Sequence, residues 1–122
     1  MKIMQVTVKA GRAEAEAAEV LVLTHCEGES LSKQDAAPVD KAMGGALAEL
    51  LKSKEFEGKA SELALVHTQG KLPAKRVLLV GLGKKASVGV DTIRQAMGHA
   101  AKRVRQAKAG SFTAVAPAVT PR

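Results

Sequence analysis

Tryptophan and tyrosine are missing from the 122 residues, and two phenylalanines make up the whole aromatic class. A surface that stacks successive bases on aromatic rings is therefore excluded, and any core has to be aliphatic. Cysteine is nearly absent as well. Cys26 stands alone, which excludes an internal disulfide and a cysteine-based zinc site. No apolar stretch approaches the ~20 residues of a membrane span. The opening Met1-Lys2-Ile3-Met4-Gln5-Val6 has one cation but no apolar run of leader length. A soluble, cytoplasmic chain with no membrane partner is expected. Acids are scarce in one region: residues 71–108 hold ten Lys or Arg against Asp91 alone, whereas residues 1–70 hold eight against eleven acids. A basic face of this kind suits an anion, a nucleic acid or an acidic partner surface.

The 46% of hydrophobic residues and the length of 122 fit one folded domain with one real core. Alternation from Lys2 to Lys9 reads as a strand near an edge. Ala10 to Glu19 reads as a surface connection or a helical turn, and Val20-Leu21-Val22-Leu23 as a buried strand. Glu27 to Ala37 reads as a loop. From Pro38 onward, Val39, Ala42, Met43, Ala46, Leu47, Leu50 and Leu51 form one helical stripe. Leu63 to Thr68 and Arg76 to Val80 are two more strands, joined by a turn with Gly70 and Pro73. A second helix, capped by Asp91 or Thr92, carries the stripe Ile93, Ala96, Met97, Ala100, Ala101 and Val104. Phe112 to Ala116 is a last strand. The order β-β-α-β-β-α-β predicts an α/β fold, a mixed sheet flanked by helices. Residues 1–116 form the domain, and 117–122, with Pro117 and Pro121, start a linker.

Four features are candidate sites. The run Gly81-Leu82-Gly83-Lys84-Lys85 leaves its strand as a glycine-rich basic loop, where backbone N–H groups and lysines would attract phosphate. It has neither the Walker spacing nor G-x-G-x-x-G, and the alternative is a strand-end turn without ligand. Gly44 and Gly45, expected inside the first helix and off its apolar stripe, either suit close approach by a helix, a subunit or a ligand or are a pair merely tolerated there. Arg94, Lys102, Arg103, Arg105 and Lys108 form a basic helical face, either a nucleic-acid face or a solvated one. His25-Cys26 lacks the further ligands that a metal needs. No nucleophile–base pair is legible, so neither a catalytic residue nor a metal site is assigned.

The run Arg76-Val77-Leu78-Leu79-Val80-Gly81-Leu82-Gly83-Lys84 resembles the N-terminal domain of the leucyl aminopeptidase family of metallopeptidases. Ala18 to Leu23 is similar to that family's second strand, and Val39 to Ala42 with Leu47 to Leu51 to its first helix. Phe56-Glu57-Gly58-Lys59 is similar to its F-x-G-K turn, and Ile93 to Gly98 to its second helix. The resemblance implies a macro-domain-like three-layer sandwich followed by a larger catalytic domain. It also implies a hexameric, cytoplasmic enzyme that removes N-terminal residues, often leucine, with two divalent metals, zinc or manganese. Those metals and the catalytic residues belong to the second domain, whose N-T-D-A-E-G-R signature this chain lacks. By itself, then, the chain is expected to be no enzyme and to hold no cofactor. Its expected partners are its own catalytic domain, further copies of the chain and possible DNA, which some bacterial members are thought to bind. Macro domains proper bind ADP-ribose, and Gly44-Gly45 and Gly81 to Gly83 would be remnants of such loops. His25-Cys26 stands where those domains place an Asn, a departure that weighs against nucleotide binding.

Overall fold

The computed structural model describes residues 5–9, 17–29, 31 and 36–115. The expected linker at 117–122 and the connection at 10–16 lie outside them. Among the described residues five strands form one sheet: β1 Gln5–Lys9, β2 Val20–Glu27, β3 Leu63–His67, β4 Arg76–Lys84 and β5 Ser111–Val115. Their spatial order is β1-β5-β2-β4-β3. All neighbours run parallel except β3, which lies antiparallel on β4 with Leu63 opposite Val80. β1 occupies an edge, as the alternating N-terminal pattern suggested.

Parallel strands covered on both faces need continuous apolar runs rather than alternation. β2 and β4 supply them: Val20 to Leu23 and Val77 to Val80 are buried throughout. Period-two geometry then divides the core. Leu21, Leu23, Val77 and Leu79 face one side and pack with Val39, Met43, Leu47 and Phe56. Val20, Val22, Leu78 and Val80 face the other and pack with Ala96, Ala100, Val104, Phe112 and Ala114. Helices α1 Ala36–Ala42 and α2 Ala46–Lys52 cover the first face. Helix α3 Val90–Gln106 covers the second. The result is the three-layer α/β sandwich with a mixed sheet that the sequence predicted.

The single helix expected from Pro38 to Leu51 is two helices. Gly44 and Gly45 adopt φ of 72° and 89°, a left-handed backbone that interrupts the helix and that glycine reaches without a Cβ penalty. The apolar stripe survives, because Val39, Met43 and Leu47 all remain buried. Asp40 restarts the helix. Its Oδ1 accepts from the N–H groups of Leu47 at 2.7 Å and Ala48 at 3.0 Å, satisfying donors that open the new helix.

Helix α3 begins at Gly89 rather than at an Asp91 or Thr92 cap. Thr92 nevertheless secures the start: its Oγ1 accepts from Gly89 N–H at 3.1 Å, and its hydroxyl donates to the Ser87 carbonyl at 3.3 Å. Asp91 stays exposed in the first turn. At the other end Arg76 donates to the Ala107 carbonyl at 3.2 Å, placing a cation where the helix dipole is negative.

Candidate functional site

Open α/β sheets offer ligands a crevice beyond the carboxyl ends of their parallel strands. In this chain β2 and β4 end side by side, with His25 opposite Gly81 and Cys26 opposite Gly83. The register slips between His25 and Cys26, leaving Leu82 as an extra residue in β4. The segment Phe56–Glu62 lies across these ends. Phe56 is fully buried, with its ring centroid 6.2 Å from that of His25.

Beyond Phe56 the segment rests on the sheet with no room for side chains beneath it. A Cβ on Gly81 would stand 1.9 Å from the Lys59 carbonyl oxygen, and one on Gly58 would stand 3.0 Å from His25 Cδ2. Backbone hydrogen bonds fasten the contact. Gly81 N–H donates to the Glu62 carbonyl at 2.8 Å, Gly83 N–H to the Gly58 carbonyl at 2.9 Å, and Ser61 N–H to the Gly81 carbonyl at 3.1 Å.

These bonds occupy the glycine N–H donors on which the phosphate-loop expectation for Gly81, Gly83, Lys84 and Lys85 relied. Residues 81–84 are strand, not loop, and the N–H groups of both glycines already have acceptors within the chain. The glycines do mark a close approach, but it is made by the chain's own turn. Lys84 and Lys85 are exposed at the strand end, with Lys85 Nζ 3.9 Å from Glu29 Oε1. The close approach foreseen at Gly44 and Gly45 is likewise not made by any described part of the chain. A Cβ on Gly45 would meet nothing within 4 Å, and one on Gly44 only Lys71 Nζ at 4.0 Å. Left-handed backbone suffices to account for these two within the described chain.

His25 and Cys26 are both buried, but strand alternation sends them to opposite faces, His25 toward Phe56 and Cys26 into the cluster beneath α3. They therefore do not form a shared ligand pair. Burial pulls the His25 imidazole below its ordinary pKa of 6.5, opposed by the polar backbone and the charge of nearby Glu29. Burial pushes the Cys26 thiol up; the Glu29 charge adds to this and Lys85 opposes it. A thiol held protonated is a poor nucleophile and a poor metal ligand. Among the described residues His25 Nε2 has no hydrogen-bond partner. Among the described residues no three His, Cys, Asp or Glu side chains converge as a metal site. His67 and His99 are exposed.

The cations of α3 lie away from its buried stripe. Arg94, Lys102 and Arg105 are exposed and fall within about 80° of one another at 100° per residue. Arg103 is half-buried on the far flank, and Lys108 follows the helix in a left-handed turn. Arg94 Nη1 lies 3.6 Å from Asp91 Oδ1, both exposed, so little charge is neutralised there. A hollow of about 470 Å³ between His67 and Lys75 sits at the opposite end of β4. Its buried Thr68 hydroxyl is committed to the carbonyls of Ala74 at 2.6 Å and Lys75 at 2.9 Å.

Sequence reasoning passed over Glu62. Its Oε1 accepts from the N–H groups of Glu57 and Gly58, each at 2.9 Å, and of Lys59 at 3.1 Å. The only signal was an acid four residues after a turn glycine, one of many acids in that half of the chain.

Comparison with known proteins follows the same lines. Residues 20–121 match the model of the cytosol aminopeptidase family, N-terminal domain. A probable cytosol aminopeptidase of a Geobacter species is 51% identical over 78 residues, covering 64% of this chain and 16% of the relative. One from Roseiflexus castenholzii is 36% identical over 117 residues, 96% of this chain and 22% of the relative. The chain thus spans about a fifth of the length of such relatives. Among solved structures, a tomato leucine aminopeptidase mutant superposes with a TM-score of 0.69 at 19% identity, over 94% of this chain and 23% of that one. The macrodomain of Mycobacterium tuberculosis DarG gives a TM-score of 0.69 at 15% identity, over 91% and 75%. These two likenesses show a macro-domain-like fold.

Proposed function

Since the chain belongs to the cytosol aminopeptidase family, as its N-terminal domain, we propose that it is a non-catalytic accessory domain of a cytoplasmic metalloaminopeptidase. In this reading it serves contacts with a downstream catalytic domain and with further copies of the chain in a hexamer. The observation that carries it is the match of residues 20–121 to the N-terminal domain while relatives extend several times further. The two divalent ions implied by the family need several carboxylates or imidazoles converging within a few ångström. No such set exists among the described residues, and no catalytic step is assigned to them. The assay is direct: the purified chain is incubated with a leucine anilide and added manganese or zinc, beside a full-length relative. No turnover is expected. Turnover that survives repurification and is abolished by a chelator overturns the reading.

A second reading is favoured by one observation, the exposed cations Arg94, Lys102 and Arg105 on one side of α3. They suit a nucleic-acid backbone, bound without sequence preference and weakened steeply by salt. The test replaces Arg94, Lys102, Arg103 and Arg105 together by Ala in the full-length protein. Unchanged DNA retention removes this reading.

A further inference from the structure

Three consecutive backbone N–H groups, those of Glu57, Gly58 and Lys59, converge on one oxygen. Gly58, at φ 88°, bends the backbone into the left-handed region. Successive N–H groups around such a residue form a concavity that holds anions. The turn is fixed from below by the bonds to Gly81 and Gly83, so the concavity does not depend on its occupant alone. The Lys59 ammonium lies 3.3 Å from Glu57 Oε1.

A second observation at the same place concerns His25. His25 is 5% exposed, and its Nε2 has no partner among the described residues. Leaving a buried polar atom unpaired costs about 1–3 kcal/mol. The adjoining ring atom, Cδ2, is the one that a Cβ on Gly58 would strike at 3.0 Å. The ring that carries this unsatisfied nitrogen therefore lies against Gly58, the middle residue of the three. The strand-end crevice thus combines a grip for an oxyanion with a spare polar atom beside it.

We infer that the N–H groups of Glu57, Gly58 and Lys59 form an oxyanion-binding site for phosphate or carboxylate, filled in cis by the Glu62 side chain. An external oxyanion and Glu62 are mutually exclusive at this site. Tethering gives Glu62 an effective concentration of at least the millimolar order, so a free monoanion competes poorly with it. The site opens when Glu62 is displaced. This holds independently of the accessory role proposed above, since it concerns only groups of this chain.

The test is a titration of the ¹⁵N-labelled chain with inorganic phosphate, with potassium chloride at matched ionic strength as the control. Glu62→Ala should show saturable shifts at the amides of Glu57, Gly58 and Lys59, with an apparent Kd at least about tenfold lower than in the unmodified chain. Acetate as a second titrant distinguishes carboxylate from phosphate preference, and saturation by either supports the site. Phosphate should also raise the Tm of Glu62→Ala more than that of the unmodified chain. A folded Glu62→Ala with no saturable shift at these amides overturns the inference, as do equal shifts in both proteins. Should Glu62→Ala fail to fold, Glu62→Gln keeps a neutral acceptor for the three N–H groups. Phosphate affinity in Glu62→Gln no higher than in the unmodified chain then overturns it.

Discussion

Gly81→Ala tests the packing of the Phe56–Glu62 turn on the strand ends more sharply than any core truncation. The added Cβ would lie 1.9 Å from Lys59 O, 2.7 Å from the Gly58 carbonyl carbon and 2.8 Å from Gly58 O. All three are backbone atoms, so no rotamer change relieves the overlap. The turn must retreat by at least about 1 Å to reach a tolerable contact. The bond from Gly83 N–H to Gly58 O starts at 2.9 Å and that from Gly81 N–H to Glu62 O at 2.8 Å. Either is lost at such a displacement, since N–H···O bonds weaken beyond about 3.2 Å. One buried N–H left unsatisfied costs about 1–3 kcal/mol, and overpacking adds about 1–3 kcal/mol. The combined loss of about 2–6 kcal/mol lowers Tm by about 8–25 °C in a domain of this size. The control is Gly45→Ala, which meets nothing within 4 Å and bears only the left-handed penalty of about 1–2 kcal/mol. With no Trp or Tyr to report, far-UV circular dichroism in urea and on heating is the measurement. A Gly81→Ala midpoint no lower than that of Gly45→Ala would refute the reasoning.

Asp40→Ala should cost about 1–2 kcal/mol by orphaning the N–H groups of Leu47 and Ala48, whereas Asp40→Asn should retain most of the cap; denaturant midpoints compare them. Ala100→Asp, at a fully buried position of α3, should destabilise by several kcal/mol. Met97→Asp should cost less, because Met97 is half-buried and its carboxylate can reach water. Stability should also depend on His25. Its folded pKa is depressed, so the unfolded chain binds more protons between 6.5 and the lower folded value. Stability is therefore full above pH 6.5 and falls as pH drops through that window, by at most about 1.4 kcal/mol per unit. His25→Gln, melted from pH 7.5 to 5, should flatten this slope, and an unchanged slope would contradict the assignment.

Local pattern carried much of the fold. The runs at Val20–Leu23 and Val77–Val80 and the α3 stripe announce burial through residue type alone, and they became the central strands and the helix of one face. The break at Gly44–Gly45 was concealed because the left-handed kink keeps Val39, Met43 and Leu47 on one side, so the stripe reads as continuous. Gly81 and Gly83 read as a loop because glycine in a strand resembles a strand's end. The reason for them, a turn twenty residues upstream lying on the strand, is a tertiary contact with no local trace. The same holds for Glu62: its role depends on the N–H groups of Glu57 to Lys59 being turned toward it, which spacing alone does not announce.

The strand order also sets a schedule. β1 touches the sheet only along β5, with Gln5 opposite Ser111, roughly a hundred residues later in the chain, a closure of high entropic cost. During synthesis β1 has no described strand to pair with until β5 has emerged. The ladder of β2, β4 and β3, with both helical layers, is complete in sequence before β5 exists. Among the described strands β1 therefore has no partner before β5 exists, and slowing translation near residue 111 should lengthen the time for which residues 5–9 remain open to proteases.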